Sequence, residues 1–228
     1  MRLNLIAVAG CTLCLALSVI GTAARADTIP VQNASFEISN AMPDPCLGTG
    51  CSFNYGPIPD WTVTGTGGSW QPSSSYFNLS TIDGSKVAFS SGGSISQILG
   101  VGLTPNSSYT LSVGIGNRLD LLVANFTIGL FAGTTPLEVL SGTNGSITPG
   151  TFADESFTFV TGVTVAPGNL MIDLTSSTNQ TDFDNVTLTE NAISTPEASS
   201  LLLLAAGLAG LGMLALSFKS KQAGSVTA

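Results

Sequence analysis

The sequence predicts an all-β protein, built as a two-sheet antiparallel β-sandwich of the jelly-roll type. From Ile29 onward, short runs of alternating apolar and polar residues are separated by Gly, Asn, Pro and Ser, a pattern typical of antiparallel strands joined by turns. No segment between residues 27 and 195 keeps a helical period. Many short strands in one domain favour two packed sheets. The predicted strands lie near residues 29–38, 61–65, 86–90, 94–99, 108–117, 125–132, 137–140, 156–162, 169–175 and 183–190.

An apolar segment at the N-terminus predicts export. Residues 1–26 combine a basic start, an apolar stretch and a small-x-small sequence that ends at Ala26, which is the order of a secretory signal peptide. We expect cleavage after Ala26. Residues 27–190 then form a single β-sandwich ectodomain, of a length suited to one domain.

A second apolar segment, residues 198–218, is close to the roughly 20 residues that a helix needs to cross a bilayer. Residues 191–197 form a linker before it, and residues 219–228 contain two lysines that follow it. Because lysine and arginine are retained on the cytoplasmic side of a membrane, this last stretch is expected in the cytoplasm. The ectodomain is then anchored outside the cytoplasm by a transmembrane helix.

The tail also resembles a known sorting signal. Pro196-Glu197, the apolar run and the basic end follow one another in the order of the PEP-CTERM signal, with Ala198 where a second proline is expected. The resemblance implies cleavage near Pro196-Glu197 by an exosortase-type membrane protease, and transfer of the protein to the cell surface or extracellular matrix. An ordinary single-span anchor is the alternative.

Charge and composition exclude several function classes. The net charge is −8, and the predicted ectodomain has only two basic residues, Lys86 and Arg118. Binding to a phosphate backbone requires many lysines and arginines, so nucleic acid is not an expected partner. The chain contains no histidine, which excludes Ser-His-Asp and Cys-His catalysis and His-ligated zinc.

Two cysteines remain in the ectodomain. Cys46 and Cys51 lie close together in a segment rich in Pro and Gly, and export to an oxidising compartment favours a disulfide between them. A redox-active thiol pair is less favoured, because such a pair lies closer together at a helix start and no helix is predicted here.

The strand near residues 108–117 has one apolar and one nearly bare face. Alternation places Tyr109, Leu111, Val113 and Ile115 on the first, whereas the second carries small residues and ends at Arg118. Glycines weaken a strand, and we therefore expect a shallow binding groove with Arg118 at its end. An outer face crossed by a neighbouring loop is the alternative.

Asp184 is predicted to lie on the apolar side of the last strand. By alternation it shares a face with Val186 and Leu188. An ionised carboxylate there needs a partner, and because the ectodomain has only two basic side chains, a cation or backbone N–H groups are the expected partners.

The segment from Trp61 to Phe77 concentrates aromatic side chains. Trp61 is expected in the core. Trp70, Tyr76 and Phe77 are set among Gly, Ser, Pro, Gln and Asn, which makes them candidates for stacking on sugar rings, with core packing as the alternative.

Three short motifs resemble carbohydrate-binding jelly-roll modules. They are Asn33-Ala-Ser-Phe-Glu37, Ile58-Pro-Asp-Trp61 and Phe183-Asp-Asn-Val186. The resemblance implies a structural calcium ion held by Glu37 and Asp184 together with backbone carbonyls, a ligand set that suits this cation.

Other motifs resemble the cyanobacterial cyclases that build hapalindole-type indole alkaloids. They are Gly92-Gly-Ser-Ile-Ser-Gln97, Tyr109-Thr-Leu-Ser-Val113, Asn117-Arg118 and Gln180-Thr-Asp-Phe-Asp-Asn-Val186. This resemblance implies a calcium-dependent jelly roll in which a carboxylic acid protonates the substrate in an apolar pocket. Asp182 and Asp184 are the candidate acids, and burial would raise the pKa of either.

Two interpretations of function follow. The preferred one is an exported, calcium-stabilised β-sandwich without enzymatic activity, which binds glycan or exopolysaccharide at the cell surface or in the matrix through Trp70, Tyr76, Phe77 and Arg118. The alternative is a calcium-dependent, cyclase-like enzyme with a buried aspartate as general acid.

Overall fold

The computed structural model describes residues 26–40, 44–46, 50–177, 179–193 and 204–212. Residues 25–192 form one compact unit. Its strands are β1 (Ala26–Ile29), β2 (Asp44–Cys46), β3 (Cys51–Tyr55), β4 (Thr62–Thr64), β5 (Gly67–Gln71), β6 (Val87–Ser90), β7 (Ser94–Gly102), β8 (Ser107–Asn117), β9 (Asn125–Ala132), β10 (Thr135–Thr143), β11 (Thr151–Val160), β12 (Asn169–Ser176) and β13 (Thr181–Ala192). Two short 3-10 turns lie at Leu79–Thr81 and Asn144–Ser146.

The strands form two antiparallel sheets, which confirms the predicted all-β sandwich. The larger sheet has the order β11-β8-β13-β6-β5-β3-β2, with β1 paired to β13, and the smaller has the order β10-β9-β12-β7-β4. Neighbouring strands are often distant in sequence, since β13 lies between β8 and β6 and β12 lies between β9 and β7.

The core lies between the two sheets, and β8 shows how the sequence builds it. Tyr109, Leu111, Val113 and Ile115 are fully buried in the core, as the alternation predicts. The core also contains apolar side chains of the facing strands. Among these are Ile95, Phe126, Ile128, Leu130, Leu170, Ile172, Leu174, Phe183, Val186 and Leu188.

The strand predicted at 29–38 ends early. β1 stops at Ile29, and Asn33 and Phe36 adopt left-handed backbone conformations with φ of 47° and 56°, which a strand does not allow. The Asn33 side chain accepts a hydrogen bond from Ile38 N and donates one to Pro59 O. These contacts replace strand pairing, and the turn places Glu37 against residues 85 and 86, just before β6.

A β-bulge in β13 corrects the predicted orientation of Asp184. The pairing register with β8 shifts between Asp184 and Thr187, and Asn185 adopts a left-handed conformation with φ of 46°. An inserted residue reverses the alternation. Phe183, Val186 and Leu188 are therefore all in the core, whereas Asp184 is paired with Gly114 and shares its outward-facing side.

Most residues of the predicted terminal signals lie outside the described residues. This applies to the signal peptide up to residue 25, to Pro196 and Glu197, to residues 219–228, and to the predicted transmembrane helix except for residues 204–212, which are helical. Among the described residues, no helix has the length and apolar character needed to cross a membrane.

Candidate active site

The outer face of the larger sheet carries a second group of packed apolar side chains. On β6, Ala88 belongs to the sandwich core whereas Val87 and Phe89 belong to this second group, which places it on the opposite side of the sheet. We call it the outer aromatic cluster. Its members are Cys46, Cys51, Phe53, Trp70, Tyr76, Phe77, Ile82, Val87, Phe89 and Phe152.

A cavity of about 130 Å³ lies in the outer aromatic cluster. Tyr55, at its edge, is 58% exposed and contacts Phe53 and Phe89 edge-on, with ring centroids 5.3 and 5.5 Å apart. The cavity therefore combines aromatic walls with the polar side chains of Arg118 and Gln180. Its lining residues are Cys46, Phe53, Tyr55, Trp70, Phe89, Arg118 and Gln180.

Asp182 lies directly behind this cavity. Its side chain is fully buried, and Oδ1 accepts hydrogen bonds from Trp70 Nε1 (2.8 Å) and from Gln180 Nε2 (2.7 Å). Oδ2 has no hydrogen-bond partner among the described residues. A buried polar atom without a partner is rare in folded proteins and is costly; here it belongs to a group that can carry a proton.

The surroundings of Asp182 favour its protonated form near neutral pH. Burial raises its pKa to about 7, although the Arg118 charge and the hydrogen bonds from Gln180 and Trp70 act in the opposite direction. Because both donors contact Oδ1, negative charge is stabilised on that oxygen, and the proton is best placed on Oδ2. Asp182 can therefore donate a proton at the pH of a cell.

Arg118 covers the edge of the site. Its guanidinium carbon lies 4.6 Å from the ring centroid of Trp70 and 4.8 Å from that of Tyr76. The same group donates to both carboxylate oxygens of Asp120, at 3.0 and 2.8 Å, and to Gln180 Oε1 at 3.1 Å. A contact with two aromatic faces and a bidentate ion pair together hold the guanidinium in place.

The structure brings together the residues that were predicted to bind a ligand, but their rings do not form an exposed surface on which a sugar could stack. Trp70 is 3% exposed and Phe77 is fully buried, and Phe77 packs on Phe152 with ring centroids 4.8 Å apart. Tyr76 lies under Arg118. Trp70 and Arg118 line the cavity, whereas Phe77 supports it from within the cluster.

Some residues of the site were absent from the sequence prediction. Phe53 and Tyr55 lie on β3, which was not predicted, and Phe89 lies on the outer side of a strand that was. Gln180 was part of a quoted motif without an assigned role. Asp120 could have been predicted as the ion-pair partner of Arg118, because it lies only two residues further along the chain.

A disulfide joins Cys46 and Cys51 at the end of the larger sheet, with their Cα atoms 5.2 Å apart. The bond links β2 to β3, and Cys46 lines the cavity. The disulfide therefore holds one wall of the candidate site.

The small residues on the outer face of β8 have two different surroundings. Gly116 is covered by Phe152, whose ring lies where a Cβ would be placed. Gly114 contributes to a second cavity of about 440 Å³. Gly116 is thus covered by a side chain of the neighbouring strand β11 and not by a loop, and the cavity at Gly114 is not the one that Arg118 lines.

Glu37 and Asp184 approach the same turn, residues 83–86. Glu37 Oε1 accepts from the backbone N–H groups of Ser85 and Lys86, both at 2.7 Å. Asp184 Oδ2 accepts from Asp83 N at 2.7 Å. No group of three or more acidic or cysteine side chains able to hold a metal ion occurs within the described ranges, so a cation there would depend on these two carboxylates and on backbone oxygens.

The charges around Asp184 leave a net negative site. Burial raises its pKa to about 7, the backbone hydrogen bonds from Asp83 and Asn185 lower it, and the nearby charges of Asp83 and Glu37 raise it. The ammonium group of Lys86 donates to the backbone oxygen of Glu37 at 2.7 Å. Acidic groups therefore outnumber the one ammonium group here. Because the carboxyl oxygens of Glu37 and Asp184 accept hydrogen bonds from turn 83–86 and from Asn185, a divalent cation would have to replace some of these donors.

The fold and the site together define a β-sandwich protein with a buried carboxylic acid beside an aromatic cavity. Residues 27–189 match the family model described as HpiC1-like, HpiC1 cyclase, and the chain belongs to this family. No curated protein matches it in sequence.

Solved structures of cyclases are similar over the whole sandwich. A cyclase from Fischerella sp. TAU is 25% identical with a TM-score of 0.62, covering 75% of this chain and 100% of that one. The Stig cyclase Fisc from the same source, in complex with (3Z)-3-(1-methyl-2-pyrrolidinylidene)-3H-indole, is also 25% identical, with a TM-score of 0.61 and the same coverage. A xylan-binding CBM22 domain from Paenibacillus barcinonensis aligns at 13% identity and a TM-score of 0.47, over 75% of this chain and 99% of that one; we base no argument on it.

The family match corrects the preferred interpretation of the sequence. The prediction of a glycan-binding protein without enzymatic activity is wrong, because residues 27–189 belong to a cyclase family. The alternative prediction, a cyclase-like enzyme, agrees with this match. The match ends before the tail and gives no support to the PEP-CTERM and exosortase interpretation.

Proposed function

We propose that this protein is a cyclase in which Asp182 acts as the general acid. The observation that carries the proposal is the unpartnered Oδ2 of a fully buried aspartate, adjacent to a cavity with aromatic walls. Such a cavity stabilises positive charge that develops on a substrate, because aromatic faces attract cations.

The proposed reaction is a redox-neutral cyclisation. Protonated Asp182 transfers its proton to an electron-rich carbon of the substrate, which leaves a carbocation and an aspartate anion. A second π bond of the substrate attacks the cation and closes a ring, and loss of a proton restores a double bond. The product has the mass of the substrate, and no oxidant or reductant is needed.

The cavity suits an aromatic ring. An apolar cavity of about 150 Å³ is large enough for benzene, and the present cavity of about 130 Å³ is of that order. The complex of Fisc with an indole compound supports an indole-bearing, largely apolar substrate. Since Asp182 is fully buried, contact between the substrate and Oδ2 requires a side-chain movement in the cavity wall.

Proton delivery can be tested with residues 27–193 purified under oxidising conditions. Indole compounds that carry an alkene chain are incubated with the protein in D₂O, and products are analysed by mass spectrometry for ring closure and for one incorporated deuterium. We expect Asp182→Asn to abolish both. Glu138→Gln, at an exposed position on β10 of the other sheet, is the control and should retain them. Turnover by Asp182→Asn at the parental rate would exclude Asp182 as the acid.

We also propose that calcium binds between Glu37 and Asp184 as a structural ion. The excess of acidic groups around Asp184 described above supports this proposal. Bound calcium supplies positive charge that joins this turn to the bulge of β13. Asp184 is then a structural ligand, which leaves Asp182 as the acid.

Export of the domain remains part of the proposal. The signal-peptide pattern of residues 1–26 and the disulfide between Cys46 and Cys51 support a location outside the cytoplasm, with residues 198–218 as an anchor. Cell fractionation with an epitope inserted at the exposed loop position Val163 would test this, because an exported domain is accessible to protease added to spheroplasts and a cytoplasmic one is not.

A further inference from the structure

A chain of side-chain hydrogen bonds connects the surface of the domain to Asp182. Asp120, with 43% of its side chain exposed, binds Arg118, which is 14% exposed. Arg118 Nη1 donates to Gln180 Oε1, and Gln180 Nε2 donates to Asp182 Oδ1. The hydrogen bonds therefore lead from the exposed Asp120 through Arg118 and Gln180 to the buried carboxyl group of Asp182.

The chemistry of Arg118 determines the direction of this chain. A guanidinium group has five N–H donors and no acceptor, so only the oxygen of the Gln180 amide can face it. The NH₂ end of the amide must then face Asp182. A glutamine amide presents an oxygen and a nitrogen of similar size, and without a donor-only neighbour the two could exchange places.

The two amide orientations have opposite effects on the acid. With Nε2 toward Asp182, the amide donates to Oδ1 and leaves Oδ2 without a partner. In the reversed orientation the amide oxygen would face the carboxyl group, accept its proton in a hydrogen bond and compete with the substrate for it.

We propose that Arg118 is a positioning residue that selects the productive orientation of the Gln180 amide, with Asp120 as its outer anchor, and so keeps Oδ2 of Asp182 free for the substrate. The orientation of the Gln180 amide is inferred from hydrogen-bond geometry alone. Its effect on catalysis rests on the proposed function. Arg118 is linked to Asp182 by hydrogen bonds through Gln180, in addition to the effect of its charge on the carboxyl group.

The charged and polar side chains nearest to Asp182 come from three parts of the chain, namely the segment after β8, strand β5 and the segment before β13. Arg118 follows β8, and Asp120 lies in the loop after it. Trp70 on β5 and Gln180 before β13 are neutral donors, while Phe89 on β6, the register partner of Asp182, adds no polar group. Asp184 lies two positions further along the same strand. Gln180 is therefore the side chain through which Arg118 reaches Asp182 by hydrogen bonds.

A double-mutant cycle tests whether Arg118 acts through Gln180. The variants are Arg118→Met, Gln180→Met and the double variant, compared by kcat and KM for the cyclisation. We expect each single variant to lower kcat by roughly 10- to 100-fold, and the double variant to be no worse than Gln180→Met. Losses that multiply in the double variant would overturn the inference, because independent roles combine additively in free energy.

A second measurement needs no turnover and separates this inference from the proposed function. In ¹H–¹⁵N spectra, the Gln180 side-chain NH₂ and the Trp70 Nε1–H report on their bonds to Asp182. We expect Arg118→Met to shift or broaden the Gln180 signals, and Glu138→Gln to leave them unchanged. Unchanged Gln180 signals in Arg118→Met would refute the orientation role even if the protein is a cyclase.

Asp120→Asn keeps the test usable if Arg118→Met does not fold. Residue 120 is substantially exposed, and asparagine retains one acceptor oxygen for Arg118. We expect Asp120→Asn to displace the Gln180 signals in the same direction as Arg118→Met but by less. Asp120→Glu, which keeps the carboxylate, should give the parental spectrum. If shifted Gln180 signals occur in a protein that cyclises no indole compound, the orientation role stands and the proposed reaction fails.

Discussion

The indole nitrogen of Trp70 donates a 2.8 Å hydrogen bond to Oδ1 of Asp182, a residue 112 positions further along the chain. This bond joins β5 to β13, which are separated in the sheet by β6. Trp70 thus performs two roles, since its ring lines the cavity and its N–H determines which oxygen of the acid is engaged.

Trp70→Phe retains an aromatic ring and removes the donor. Because the lost hydrogen bond stabilises the ionised carboxylate, the pKa of Asp182 should rise further. The acid works in its protonated form, so the pH at which kcat declines on the alkaline side should move upward. A rate–pH profile measures this change. The matched control is Trp61→Phe, which removes a 3.1 Å hydrogen bond to Asn33 O in the core and should lower stability without moving the profile.

Stability should decrease as the pH rises toward neutrality. Asp182 and Asp184 have ordinary pKa values of 3.8 that folding raises to about 7. The folded state therefore binds these protons more tightly, and the resulting stabilisation is complete below pH 3.8 and is lost as the pH rises through about 7. Without calcium, we expect a higher Tm at pH 5 than at pH 8. Asp182→Asn should reduce the difference between these two Tm values, and an unchanged difference would contradict the assignment.

Calcium should stabilise the domain through Glu37 and Asp184. A ligand that binds only the folded state adds about 2.7 kcal/mol at a free concentration 100 times its Kd, so Tm should increase in calcium relative to chelator. Glu37→Gln and Asp184→Asn should each remove the increase. Asp154→Asn is the matched control, because Asp154 lines the same cavity as Asp184 but makes no side-chain hydrogen bond to turn 83–86 among the described residues. An increase that persists in both ligand variants would place the ion elsewhere.

Gly116→Ala should disturb the outer aromatic cluster. A Cβ at this position would lie 2.6 Å from Cζ of Phe152, and an overpacked site typically loses about 1–3 kcal/mol. Phe152 must move, which also affects its partner Phe77. Chemical denaturation measures the loss. Gly162→Ala, which meets no atom within 4 Å, should leave the free energy of unfolding nearly unchanged.

Alternation predicts β8 correctly and fails on β13, and the difference has one physical cause. On β8 the period of two is unbroken, so the sequence alone places Tyr109 and Leu111 in the core. On β13 one extra residue at Asn185 reverses the faces. A single-residue bulge leaves no compositional trace, and the orientation of Asp184 was therefore predicted wrongly.

The sequence predicted some residues of the candidate site but not their arrangement. Trp70 stands out as an aromatic residue among polar ones and Arg118 as a rare cation, whereas Asp182 was indicated by the resemblance to the cyclases. Their separation in sequence gives no indication that Gln180 and Trp70 both donate to one oxygen of Asp182. Surroundings of this kind depend on which strands are neighbours, and β5, β6, β8 and β13 become neighbours only in the folded sheet.

The sequence by itself determined the fold class, since the period of two in its apolar residues requires half-buried strands, and its lack of histidine excluded chemistry that depends on histidine. The tertiary structure decided the roles of the carboxyl groups. Asp182 and Asp184 differ by two positions and share one face, yet one is enclosed by neutral donors beside an aromatic cavity and the other faces Asp83 and Glu37. The reason is physical, because the pKa and the role of a carboxyl group depend on burial and on nearby charges, which only the packing of distant strands provides.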